Sequence, residues 1–165
     1  MAKGRVIVLM GSASDAEHAG RATALLDRLG VPWSLHVASA HKTPARLLEV
    51  LAEHERRGGA RVYLTIAGRS NALSGLADAQ VAAPVIACPP LGGGPWAPYD
   101  LASSLRMPSG VAPLVVLDPE NAALAAVKIL ALAEPGLAEA VRSYQAAQRE
   151  KLERADAALG GGAAE

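Results

Sequence analysis

His41 and Lys42 stand side by side, two residues beyond Ser39 and directly ahead of Thr43-Pro44. An imidazole exchanges protons near neutral pH, so His41 is a candidate proton carrier. The neighbouring ammonium is a fixed positive charge able to hold a phosphate. A second group, Gly11-Ser12-Ala13-Ser14-Asp15, places hydroxyls and backbone N–H groups where a helix is expected to begin. Helix N-termini favour phosphate through unsatisfied donors and the macrodipole, which makes Ser12 and Ser14 candidate phosphate or base contacts. The same residues also suit a plain turn, with Asp15 as an N-cap. In a third group, Gly68-Arg69-Ser70-Asn71, Gly68 permits a ligand to approach the backbone closely, and Ser70 and Asn71 offer directed hydrogen bonds. His18, His36 and His54 lack such company and read as structural or surface residues.

The absences narrow the chemistry. The chain has no Walker glycine-lysine sequence, no G-x-S-x-G elbow and no metal-ligand spacing. Cys88 is the single cysteine, which excludes an internal disulfide and a cysteine-based zinc site, and its apolar neighbours predict a buried thiol. A histidine, small polar groups and backbone amides are left to do the work.

The three groups are positioned by short apolar runs. Arg5 to Met10 is rich in branched residues and predicts a strand buried on both faces. Trp33 to Ala38, Arg61 to Ala67 and Pro84 to Ala87 repeat its form, and Leu114 to Leu117 is a fifth candidate. Between them, Asp15 to Leu29, Pro44 to Arg57 and Ala72 to Val81 have helical period. Strands alternating with helices of this length pair in parallel through right-handed crossovers, which predicts a flavodoxin-like three-layer αβα sandwich. Ligands of such sheets bind outside the carboxyl ends of the strands, and the three groups follow strands one, two and three. Pro89 to Pro95, proline- and glycine-rich, predicts a loop at the same edge, serving as a lid or an intersubunit contact. Two more helices are expected, from Pro119 to about Leu132 and from Pro135 to about Leu159. In the last, Leu137, Val141, Tyr144, Leu152, Ala155 and Leu159 form one stripe, suited to docking on its own domain or across subunits.

At 165 residues the chain fits one domain, taken as 1–159, with a Gly/Ala-rich tail over 160–165 expected to be disordered. Sixteen basic residues balance sixteen acidic ones, so no net field favours nucleic acid or a membrane surface. No apolar run approaches the ~20 residues of a membrane span, and a cytoplasmic location is expected. Phenylalanine is absent and alanine abundant, so oligomer contacts are expected to supply part of the buried apolar area.

Four segments, Met10-Gly-Ser-Ala-Ser-Asp15, Ser39-Ala-His-Lys-Thr-Pro44, Ala67-Gly-Arg-Ser-Asn71 and Ser104-Leu-Arg-Met-Pro-Ser-Gly110, closely resemble the phosphoribosylaminoimidazole carboxylase family. The similarity runs from about Arg5 to Leu132, and the combination in this order is specific where each piece alone is not. The resemblance implies a flavodoxin-like fold, a homo-octamer or in some members a tetramer, and sites between subunits. The bacterial mutase class carries arginine after the site histidine and a glycine-alanine loop ending in a second histidine. Lys42 and Ala67 to Asn71 resemble instead the direct carboxylase class, also found fused to a synthetase in animals. That class combines aminoimidazole ribonucleotide with carbon dioxide to give the carboxyaminoimidazole ribonucleotide, with no biotin, metal or ATP. By motif position, Ser14, Ser39 and Lys42 would contact the phosphate, Asp15 the ribose and Ser12 the region of the base, with His41 carrying the proton. Backbone N–H groups around Gly68, Ser70 and Asn71 would stabilise the carboxylate. The resemblance leaves the role of Arg69 open. A mutase and a non-catalytic nucleotide-binding module are the alternatives; the proton carrier His41 counts against the module.

Overall fold

A computed structural model of the chain describes residues 3–160. The order is β1 (Arg5–Met10), α1 (Ala16–Arg28), β2 (Trp33–Val37), α2 (Pro44–Arg57), β3 (Arg61–Ile66), α3 (Ala72–Asp78), β4 (Val85–Ala87), α4 (Ala97–Leu105), β5 (Leu114–Val115), α5 (Pro119–Ala131) and α6 (Pro135–Gly160). The five strands form one parallel sheet in the order β2-β1-β3-β4-β5. Strand order therefore reverses between β1 and β3, and the crevice opens there.

β1 and β3 are continuous apolar runs because both of their faces are covered. Val6, Val8 and Met10 join Val62, Leu64 and Ile66 against α1 and α5, in a cluster with Leu25, Leu26, Ala122, Ala126 and Val127. The alternate residues Ile7, Leu9 and Tyr63 face Leu47, Val50 and Leu51 of α2 and Leu73 and Ala77 of α3. Complete burial of such aliphatic side chains contributes about 1.5–3 kcal/mol each, so these two layers are the main source of stability. Alanines fill much of the α1–α5 contact and let the helices approach closely, with the Arg21–Asp118 ion pair (2.7 Å) joining the middle of α1 to the start of α5.

Three expectations are corrected. β2 is an edge strand, and Trp33, Leu35 and Val37 are exposed on one of its faces. Its apolar residues Trp33, Leu35 and Val37 alternate with Ser34 and His36, and composition alone does not tell a covered face from an open one. α4 occupies a stretch where no helix was expected, directly after the proline- and glycine-rich loop. In α6, the single stripe splits: Leu137, Val141 and Tyr144 pack on the domain, whereas Leu152 and Leu159 are exposed at 72% and 83%. Of the expected disordered tail, Gly160 closes α6 and the rest lies outside the described residues. Among the described residues no helix is long and apolar enough to cross a membrane.

Candidate active site

The loops after β1, β2 and β3 converge on one open cleft of about 470 Å³. Ser12, Ser14, Asp15, Ser39, His41, Lys42, Gly68, Arg69 and Ser70 line it, with Gly11, Ala40, Ala67 and Leu73 supplying the floor and walls. Lys42 and Arg69 face a single carboxylate, that of Asp15, so the site presents net positive charge suited to a phosphate.

The first loop is shaped mainly by its own atoms, after the Gly11 N–H has donated to Ile66 O (2.8 Å). Ser12 caps the short turn Ala13–Asp15: its Oγ accepts from the Ser14 N–H (3.3 Å), and its own N–H donates to Asp15 Oδ2 (3.0 Å). This reciprocal arrangement is a capping box. The Ser14 hydroxyl lies 2.9 Å from Ser12 Oγ, so both hydroxyls face the cleft as a pair. Partial burial holds the Asp15 carboxyl above its usual range, against the opposing pull of the Ser12 N–H and of His18. Gly11 sits where an added Cβ would come within 3.1 Å of the Ala67 Cβ, so the first and third loops touch.

The second loop is equally self-contained. The Ser39 N–H donates to Thr43 Oγ1 (2.9 Å), the Thr43 N–H returns to Ser39 O (2.9 Å), and Ser39 Oγ accepts from the Lys42 N–H (3.2 Å). The closed turn presents His41 and Lys42, both exposed, at its tip. Pro44 then starts α2, where its missing N–H costs nothing.

The third loop differs. Asn71 is absent from the cleft lining: it is buried at 4% exposure, its side-chain oxygen caps α3 by accepting from Ser74 N–H (3.3 Å), and Nδ2 donates to Ser104 Oγ (2.9 Å). Its backbone N–H is also committed, to Ser103 Oγ (3.0 Å). The expected ligand contact at Asn71 is corrected on this ground, since its amide and N–H serve the protein. Arg69, whose role the sequence left open, lines the cleft with φ +58°. Sequence reasoning missed Ser103, and a signal for it existed only in its adjacency to the Ser104-to-Gly110 segment.

The other three histidines are structural. His18 Nε2 lies 3.3 Å from Cys88 Sγ, and burial pushes the Cys88 thiol up to about 12, as fits an inert buried cysteine. His36 and His54 meet Nε2 to Nε2 at 3.0 Å beneath β2. Burial lowers the pKa of His18, His36 and His54, keeping the neutral form. Among the described residues no group of three or more His, Cys, Asp and Glu side chains is placed to hold a metal ion.

A doubly wound α/β sheet with a histidine, a lysine and paired serines at its switch point suits one class of protein: an enzyme acting on an anionic small molecule. The particular family follows from comparison. Residues 5–151 match the model of the AIR carboxylase family. The chain is 44% identical over 155 residues to the phosphoribosylaminoimidazole carboxylase of Archaeoglobus fulgidus, covering 94% of this chain and 84% of that one. It is 44% identical over 128 residues to the human bifunctional phosphoribosylaminoimidazole carboxylase/phosphoribosylaminoimidazole succinocarboxamide synthetase, covering 78% of this chain and 30% of that protein. The crystal structure of Treponema denticola PurE superposes with a TM-score of 0.92 at 43% identity, covering 95% of this chain and 99% of that one. The chain belongs to the AIR carboxylase family and is an enzyme of aminoimidazole ribonucleotide carboxylation in purine biosynthesis.

Proposed function

We propose that this enzyme joins free carbon dioxide directly and reversibly to the ring of 5-aminoimidazole ribonucleotide, without ATP, biotin or a metal. The observation that carries the reading is the single cleft in which His41 is the one histidine, flanked by Lys42 and faced by the third loop. Ser14, Ser39 and Lys42 hold the phosphate, Asp15 the ribose hydroxyls, and Ser12 the base near His41. The electron-rich ring carbon attacks carbon dioxide, and the new carbon–carbon bond leaves that carbon non-aromatic with its proton still attached. His41 removes this proton and aromaticity returns; in reverse it delivers the proton and carbon dioxide departs. The N–H groups of Gly68 and Ser70 stabilise the carboxylate as its charge grows.

A mutase moving a carboxyl group from the exocyclic nitrogen is the second reading. The absence of a second histidine from the cleft lining favours direct capture. The test supplies purified enzyme with aminoimidazole ribonucleotide and bicarbonate-derived carbon dioxide, and separately with the nitrogen-carboxylated nucleotide at equal concentration, ATP being omitted. Ring carboxylation of the first is expected. Conversion of the second alone would sink the direct reading.

The same reading places the enzyme in the cytoplasm as a homo-octamer, with a tetramer as the alternative. Exposed Leu152 and Leu159 on α6, with Trp96 and Tyr99 beside the proline-rich loop, support assembly, because a monomer would leave this apolar surface in water. Sedimentation at micromolar concentration should show an assembly; a lone monomer would refute it.

A further inference from the structure

Arg69 is the only described non-glycine residue with positive φ, a conformation in which Cβ crowds the backbone. Such a residue persists where its surroundings over-determine it. Here they are two adjacent serines of α4, more than thirty positions away in sequence. The Ser103 hydroxyl accepts from the Asn71 N–H (3.0 Å) and lies 3.0 Å from Arg69 O and 2.8 Å from Asp100 O, sharing one proton between those two carbonyls. Ser104 Oγ, 1% exposed, receives the Asn71 side-chain amide (2.9 Å). Ser103 thus brackets Ser70, gripping the carbonyl before it and the N–H after it, while Ser104 holds the Asn71 side chain.

Peptide planarity turns this grip into aim. In a trans peptide the C=O and the following N–H point in opposite directions. With Arg69 O drawn toward Ser103, the Ser70 N–H of the same plane is directed away from α4, and Ser70 is on the cleft wall. Among the described residues, no protein acceptor engages the N–H of Gly68, Arg69 or Ser70. A change of backbone handedness across successive free N–H groups forms a concavity that binds anionic oxygen. Pro90 O backs it from the other side, only 3.3 Å from where a Cβ on Gly68 would stand.

We propose that Ser103, seconded by Ser104, is a positioning residue for the carboxylation: it sets the Arg69–Ser70 peptide so that the third loop's N–H groups meet the carboxylate of the nucleotide. The inference rests on the ring-carboxylation reading of this cleft. It predicts an effect on the carboxyl end of the substrate and none on its phosphate end, because the first and second loops make no hydrogen bond to α4.

The experiment compares Ser103→Ala and Ser103→Thr with the wild type in kcat, in KM for the nucleotide, and in equilibrium binding of the ring-carboxylated and uncarboxylated nucleotides. Misplacing an oxyanion donor by about an ångström costs on the order of 10- to 100-fold. Ser103→Ala should lose kcat by that factor, with KM for the uncarboxylated nucleotide within about threefold of wild type. Its affinity should fall about tenfold more for the carboxylated nucleotide than for the uncarboxylated one. Ser103→Thr, which keeps the hydroxyl, should recover most of both. If Ser103→Ala does not accumulate folded, Ser103→Cys, with its weaker donor, should give the same split in smaller measure. A kcat within twofold of wild type, or equal loss of affinity for both nucleotides, overturns the proposal. Failure of the wild type to carboxylate without ATP would strike the direct-carboxylation reading instead, while the paired binding measurement still judges Ser103.

Discussion

The first two site loops and the third are built in opposite ways. Loops 12–15 and 39–44 close on themselves: the side-chain hydrogen bonds that shape them join residues two to four positions apart, with only the preceding Gly11 N–H reaching out, to Ile66 O at the end of β3. The third loop, 68–71, is shaped by α4, through bonds spanning 32 to 34 residues. Self-contained loops can be exposed and still hold their geometry, which suits groups that must meet a solvated phosphate. A loop carrying a left-handed arginine needs an outside support, supplied here by half-buried Ser103 and buried Ser104. On the proposed reading, the difference matches ground-state binding by the first pair of loops and carboxylate recognition by the third.

The sharpest way to break this division lies within the second loop, where His41 and Lys42 are neighbours. His41→Asn removes proton transfer but little substrate contact, and should lower turnover by roughly 100-fold or more with nucleotide binding nearly unchanged. Lys42→Ala removes a charge-assisted hydrogen bond worth about 1.5–3 kcal/mol, so nucleotide affinity should fall by about 10- to 100-fold. Steady-state rates and direct titration separate the two. Unchanged turnover in His41→Asn would refute the proton carrier. Unchanged affinity in Lys42→Ala would move the phosphate to Arg69, the other cation of the cleft.

The same contrast explains what could be read from sequence. Ser12 to Asp15 and Ser39 to Pro44 were legible because their chemistry and their scaffold lie within a few residues. The α/β order was legible because β1 and β3, covered on both faces, leave continuous apolar runs. Asn71 was misplaced because a capping asparagine and a ligand-binding one look identical until the partner, Ser104, is seen. α4 was missed because Ala97–Leu105 is short, follows three glycines, and holds two serines, which favour caps over helix interiors. β2 was read as buried on both faces because Trp33, Leu35 and Val37 carry no mark distinguishing an edge from an interior strand.

The smallest effects test the contrast in stability. Asn71→Ala deletes a helix cap and leaves the buried Ser104 hydroxyl without its donor. A lost cap costs about 1 kcal/mol. An unsatisfied buried group adds about 1–3 kcal/mol, giving about 2–4 in all. Ser12→Ala also deletes a cap, but the hydroxyl's partner, Ser14, lies at the surface, where water replaces the lost bonds, and the Ser12 N–H keeps its bond to Asp15. Its cost should be about 1 kcal/mol or less. For a chain of this size each kcal/mol shifts Tm by about 2–4 °C, so Asn71→Ala should fall by roughly 10 °C and Ser12→Ala by no more than about 4 °C. Thermal denaturation of the two variants alongside the wild type measures the difference. Equal shifts would mean that α4 does not support the third loop. A larger shift for Ser12→Ala would reverse the contrast, making the first loop the one that depends on its surroundings.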